Sequence, residues 1–257
     1  MSTILSVSLC GPAAETGTIG ALPVAVSGAK LFLIALPMLT TAVAIAPRIQ
    51  ANAGGADDSI RQFLAQQKGQ PAYRALRRLE ARSGDKQGWM EAMTTYSPQT
   101  GFDYAITAEG GSGVIRTKVL RAVLQGERET ISQGETATAA LVLANYTFEP
   151  MGVDDDGLAN VLLSPRRKEP VLVAGTMFLQ PADGDLVRLE GRLAKSPSFW
   201  LKTVDIIQKY ERVHGVVVPV ALESRAQLRV FGSATLRMTY EYSEIEGRQV
   251  TSQLAQR

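Results

Sequence analysis

The 257-residue chain is poor in the residues most catalytic and metal sites are built from. It has one cysteine, Cys10, and one histidine, His214. A metal site built on paired histidines is therefore excluded. A Ser–His–Asp triad would have to use His214, and the chain has no Gly-x-Ser-x-Gly nucleophile elbow. Charge of one sign is also missing: 27 basic residues against 25 acidic leave a formal net charge of +2. Nothing steers the chain toward nucleic acid. Aromatics make up 6% of residues. The longest uncharged apolar run is the sixteen residues Leu31 to Ala46, below the roughly 20 a spanning helix needs.

That run is what the N-terminal region does have. Lys30 precedes it, Pro37 interrupts it, and Ala51-Asn52-Ala53 follows with the small–x–small pattern of a signal peptidase site. Positive flank, short apolar core and cleavage pattern together predict a cleavable secretory signal over residues 1–53. The rival is an uncleaved anchor, with only Arg48 as a following stop charge. Residues 1–29 are long and nearly uncharged for an n-region, so the expected translation start is downstream, near Val24 or Val26. A lipidated Cys10 is disfavoured because Leu9 is too large for the residue before it. The chain that remains, 54–257, is expected to be one exported, thiol-free domain. About 200 residues can bury a sufficient core without disulfides.

Along that domain Gly54 to Ser59 reads as a linker, and Ile60, Phe63 and Leu64 as a short amphipathic helix. Tyr73, Leu76 and Leu79 keep a three-residue spacing after Pro71, which predicts a second helix to about Arg82. Its polar face would carry Arg74, Arg77, Arg78 and Arg82, a solvated surface or a contact with anionic headgroups. From Trp89 the texture is strand-like, with Glu109 to Gly113 a turn cluster. Val114 to Lys118 is read as a strand leading into a helix through Ile131, with a further helical stretch over Ala137 to Leu143. Short strands then alternate with turns: Asp154 to Gly157, Pro165 to Pro170, Ala182 to Asp185, His214-Gly215 and Gly232-Ser233. Val216 to Val218 and Gln227 to Phe231 read as separate strands. Val187, Leu189, Gly191 and Leu193 alternate with Arg188, Glu190 and Arg192, so one face is buried and one is wet. The count is about ten antiparallel strands, with helices at the front and in the middle.

Chemical motifs are sparse. Gly110-Gly111-Ser112-Gly113 lacks the Gly-Lys-Ser/Thr ending of a phosphate loop, and Asp154-Asp155-Asp156-Gly157 lacks the closing Glu of a calcium loop, so both read as turns. Arg166-Arg167-Lys168 reads as a hairpin tip able to touch phosphate. Ser196-Pro197-Ser198-Phe199-Trp200 places an aromatic pair at the start of a strand, as a core anchor or a pocket mouth.

The strand half, from Gly191-Arg192-Leu193 and Ser198-Phe199-Trp200 through Tyr210-Glu211-Arg212, Val218-Pro219-Val220 and Glu223-Ser224 to Met238-Thr239-Tyr240, resembles exported bacterial proteins of the outer-membrane lipoprotein-sorting superfamily. The resemblance spans roughly residues 60–246. It implies an α+β, mostly β fold: an unclosed antiparallel barrel with helices over its concave face and an apolar cavity between them. It also implies a periplasmic carrier or sensor that binds an acyl chain, lipid or lipoprotein and has no catalytic role. The expected cavity residues are Phe102, Tyr104, Phe178, Leu189, Phe199, Trp200, Ile206, Met238 and Tyr240, each of which could equally build a plain core. No catalytic residue, metal or cofactor is expected. The expected partner is a lipid or lipoprotein acyl chain, with contact to a membrane surface. The alternative is a structural or protein-interaction module of the envelope. Oligomeric state does not follow from the sequence.

Overall fold

The computed structural model describes residues 54–250, apart from 68 and 231. The predicted signal segment and the last seven residues lie outside the described residues. The chain opens with helix α1 (Gly54–Ala65), so the expected linker at 54–59 is helical. Three long strands follow: β1 (Tyr73–Ser83), β2 (Lys86–Ser97) and β3 (Gly101–Gly111). A helical segment then runs as α2 (Gly113–Ile115), a π turn (Arg116–Leu120) and α3 (Arg121–Ser132), before a 3₁₀ turn at Glu135–Thr138. The remaining strands are β4 (Tyr146–Val153), β5 (Ala159–Pro165), β6 (Val173–Leu179), β7 (Leu186–Leu193), β8 (Leu201–Val213), β9 (Val216–Leu228), β10 (Ser233–Ile245) and the two-residue β11 (Arg248–Gln249).

All strands belong to one antiparallel sheet in the order β3-β2-β1-β10-β9-β8-β7-β6-β5-β4, with β11 beside β10. The first three strands close onto the last long one, and β3 and β4 remain separate edges. This is the expected unclosed half-barrel. Two prolines sit where the ladder is already broken. Pro219 faces the bulge at Lys209/Tyr210, and Pro150 adjoins the bulge at Pro150/Gly152 on the edge strand. A residue without an N–H belongs at such places.

Four local expectations are corrected. Residues 73–83 are a strand, not a helix, although Ala, Leu, Arg and Glu are good helix formers. Tyr73 to Ser83 is paired along its whole length with β2 on one side and β10 on the other, and that pairing outweighs the propensity. Val114 to Lys118 is helical, because β3 ends at Gly111 and Ile115 turns inward onto Gly88. The helical stretch at 137–143 is only the 3₁₀ turn, after which Ala139, Ala140 and Leu141 are buried without regular structure. Finally, Val216 to Leu228 is a single strand, and β10 begins at Ser233.

One face of the sheet is mostly apolar. A row of paired residues crosses it: Val161, Met177, Leu189, Gln208, Leu222, Met238, Leu79 and Met90. The helices cover this face in two separate places. Ile115, Leu120, Val123 and Leu124 pack on β1, β2, β9 and β10. Ile60 and Phe63 of α1, with Leu141, pack on β5, β6 and β7. α1 lies tight against the β6–β7 turn. A Cβ on Gly184, whose φ is +73, would stand 2.7 Å from the Phe63 nitrogen, so this turn needs a glycine on both counts.

Candidate functional site on the covered face

Strand alternation explains the most unusual side chain in the molecule. Tyr73, Ala75, Arg77, Leu79 and Ala81 all point to the covered face, which carries Arg77 into the interior. Arg77 is 0% exposed and meets Glu127 of α3, itself 4% exposed, with Nη1 to Oε2 at 2.5 Å and Nη2 to Oε1 at 3.0 Å. Nη2 also donates to the Tyr73 hydroxyl. The guanidinium lies 4.7 Å from the Tyr240 ring centre and 5.0 Å from that of Phe102. Burial disfavours the charge on Arg77. The Glu127 carboxylate and the tyrosine oxygens favour it, and its pKa rests well above the usual value. Burial also pushes up the Tyr73 and Tyr240 hydroxyls. The arrangement is a paired, hydrogen-bonded charge tying the central strand to the helix above it. It presents no nucleophile beside a base, and its chemistry is structural.

The boundary between the two cores falls on β8. Gln208 is the polar member of the apolar row, and Tyr210 lies two residues on, at the edge of the α1 core. The Tyr210 hydroxyl is buried with no hydrogen-bond partner among the described residues, and burial raises its pKa well above the tyrosine norm. Beside it the next inner row is mostly small residues. Gly175, Gly191, Ile206, Ser224, Leu236, Ala81 and Gly88 pair in succession across seven strands. Gly175 faces Gly191 directly, and a Cβ on Gly175 would sit 2.0 Å from the Glu190 carbonyl oxygen.

No protein-family model and no curated protein matches the chain. Two solved structures align with it. A DUF1329 family protein from Desulfovibrio piger shares 8% identity over 74% of this chain and 91% of its own, with a TM-score of 0.37. A LolA superfamily protein from Nitrosomonas europaea shares 8% identity over 76% and 94%, with a TM-score of 0.38. The half-barrel rests on the chain's own strand order, whatever the distance of these relatives.

The nine residues expected in a cavity do not converge. Phe102 and Tyr240 flank Arg77, and Met238 is fully buried in the same core. Leu189 belongs to the other core. Tyr104 lies under Arg128, 4.4 Å from ring centre to guanidinium. Phe178 alternates with the buried Met177 and Leu179, so it faces outward, under Arg188 at 3.9 Å. Phe199 and Trp200 are exposed in the β7–β8 loop. Only Ile206 borders a recess, a trough of about 890 Å³.

That trough follows one row across β1, β2, β8, β9 and β10. Its lining mixes residues that alternate away from the cores, Glu80, Arg82, Asp205, Glu223, Arg225 and Arg237, with Ala81, Gly88, Ser224 and Leu236 of the inner row. None of the covered-face residues two positions along, such as Leu79, Leu222 or Met238, reaches it. Among its charges Arg237 pairs with Glu223 at 2.7 Å and Asp205 with Arg192 at 2.6 Å. An acyl chain gains nothing from these charged groups.

The groups missed from sequence are Arg77, Glu127, Tyr73 and Tyr210. A period-two reading of 73–81 would have set Arg77 among Tyr73, Ala75, Leu79 and Ala81 and flagged it. The remaining motifs are turns and ties. His214 takes a left-handed backbone with φ of +50 in the β8–β9 turn. Asp154 caps its turn by accepting the Leu158 N–H at 2.8 Å. Arg167 is spent on Asn145 and Glu169. Among the described residues no group of three or more histidine, cysteine or acidic side chains could hold a metal.

Proposed function

We propose that the protein is an exported, non-catalytic binder of an acyl chain, as free lipid or as part of a lipoprotein, taken up on the covered face of the sheet along β8. The observation carrying this reading is the division of one continuous apolar face into two cores that are closed by separate helices. A chain lying between them leaves each core intact, since helix and strands can shift as two packed bodies. The small residues Gly191 and Ser224 and the unmated Tyr210 hydroxyl line the place where it would lie. The predicted signal segment supports a location in the periplasm or cell envelope.

Native mass spectrometry of gently purified protein, together with uptake of a fluorescent fatty acid, tests this. Copurified lipid or saturable uptake is expected, and Ser224→Phe, which fills the strip beside β8, should abolish uptake while circular dichroism stays unchanged. Absence of both lipid and uptake in the parent protein rejects the proposal. The charged walls of the trough favour a second reading, a module that receives an extended polypeptide. Crosslinked partners mapping to Arg225 and Glu80, with no lipid recovered, would select it.

A further inference from the structure

The connections at the two ends of the sheet differ in kind. At one end lie the β1–β2, β5–β6, β7–β8 and β9–β10 connections, the last three joined through backbone bonds from Ala194 N to Leu172 O at 2.7 Å and from Arg229 N to Trp200 O at 2.9 Å. This end displays large apolar side chains to solvent: Phe199 is 75% exposed, Val230 54% and Trp200 41%. The Phe199 and Trp200 rings meet edge to face at 5.5 Å, and the Arg229 guanidinium lies 5.4 Å from the Phe199 ring centre. Exposed lysines surround them, Lys168, Lys195 and Lys202. In the β7–β8 and β9–β10 connections no acidic residue offsets these charges. Alongside, Leu143 is 51% exposed where Arg166 Nε holds its carbonyl at 2.7 Å.

The opposite end is acidic. Its turns carry Asp154, Asp155, Asp156, Asp183, Asp185 and Glu246 and no lysine or arginine. Arg212 reaches in from β8 to pair with Asp185 and Asp183. The molecule is thus polarised along its strands, with bare aromatics and cations in excess of Asp85 and Glu169 at one end and carboxylates at the other.

We propose that the end bearing Phe199, Trp200, Val230 and Arg229 docks on an anionic lipid bilayer. Amphipathic aromatic rings belong at the headgroup level, and lysines and arginines around them are drawn to a negative surface. The acidic end is repelled by the same surface, which sets one orientation. The inference does not rest on acyl binding, since the rim lies apart from the β8 strip.

Flotation of the protein with vesicles of equal parts phosphatidylglycerol and phosphatidylcholine tests it, with vesicles of phosphatidylcholine alone alongside. Strong binding to the first only is expected, weakened at high salt as surface charges are screened. In a Trp89→Phe background the emission of Trp200, the remaining tryptophan, should shift to the blue on binding. Arg229→Glu should lower the partition coefficient about five-fold or more, and Phe199→Ser about ten-fold. Met151→Ser, an exposed apolar residue on edge strand β4 away from this rim, should change nothing. No binding by the parent, equal binding to both vesicle types, or full binding by the Phe199 and Arg229 variants each overturns the proposal. So does complete displacement by soluble glycerol phosphate, which would mean headgroup capture without the bilayer. Fatty-acid uptake measured on the same variants should be unaffected, which separates this failure from failure of the acyl reading.

Discussion

Replacing Glu127 by glutamine keeps its shape and removes its charge, leaving Arg77 cationic and fully buried. The ion pair is out of water on both sides, at 0% and 4% exposure, so solvent does little to screen the loss. Breaking one partner of such a pair costs about 3–5 kcal/mol, because the survivor is a buried unmated charge. The rings of Tyr240, Phe102 and Tyr73 return part of that through cation–π attraction, about 0.5–2 kcal/mol at a desolvated site. They already do so in the parent, so the difference stands. For a domain whose total stability is about 5–15 kcal/mol, the loss is about a fifth or more. At about 2–4 °C per kcal/mol for this size, the Tm should fall roughly 6–20 °C. Urea unfolding of the domain, with the slope m checked for constancy, measures the change directly. The companion variant is Arg77→Met with Glu127→Leu, which removes both charges and keeps volume. It should lie within about 1 kcal/mol of the parent. A single variant losing under about 1 kcal/mol, or a double variant falling as far as the single one, would refute the unmated-charge argument.

Other outcomes follow from the same core. Burial raises the pKa of Tyr73, Tyr210, Tyr240 and Tyr242, and pushes Tyr146 up to about 12. Their folded values exceed the unfolded value near 10, so the stability they carry is whole below about pH 10 and is lost as pH rises beyond it. Tyrosinate absorbance should therefore appear together with loss of the near-ultraviolet dichroism. Reversible ionisation of all seven tyrosines near pH 10 in a folded protein would contradict it. Gly175→Ala sets a methyl against the Glu190 carbonyl and should cost about 1–3 kcal/mol in thermal unfolding. An unchanged Tm there would mean that β6 and β7 part without strain. Tyr210→Phe deletes an unmated buried hydroxyl and should be neutral or stabilising by about 1 kcal/mol. A clear loss of stability would show that the hydroxyl has a partner in the folded protein.

Turns were legible in the sequence because their chemistry is local. Gly84, Gly157, Gly184, Gly215 and Gly232 all adopt positive φ, and each sits at a turn flanked by residues that alternate. Alternation through Val187 to Leu193 was equally plain, since a period of two needs only neighbours in the chain. Those two signals determined an antiparallel, mostly β domain with its hairpins in place. The order of the sheet was another matter. Tyr73 to Ser83 has helical composition and a helical spacing, and became a strand because β10, more than 150 residues later, supplies its second edge. That pairing is what turns Arg77 from one of four surface cations into the buried centre of a core. It was likewise the register across β6, β7, β8 and β9 that aligned Gly175, Gly191, Ile206 and Ser224 in one row. Local chemistry determines where the chain bends and which residues alternate. Which face a side chain joins, and whether an aromatic such as Phe199 ends in a core or at a rim, is decided only when distant strands meet.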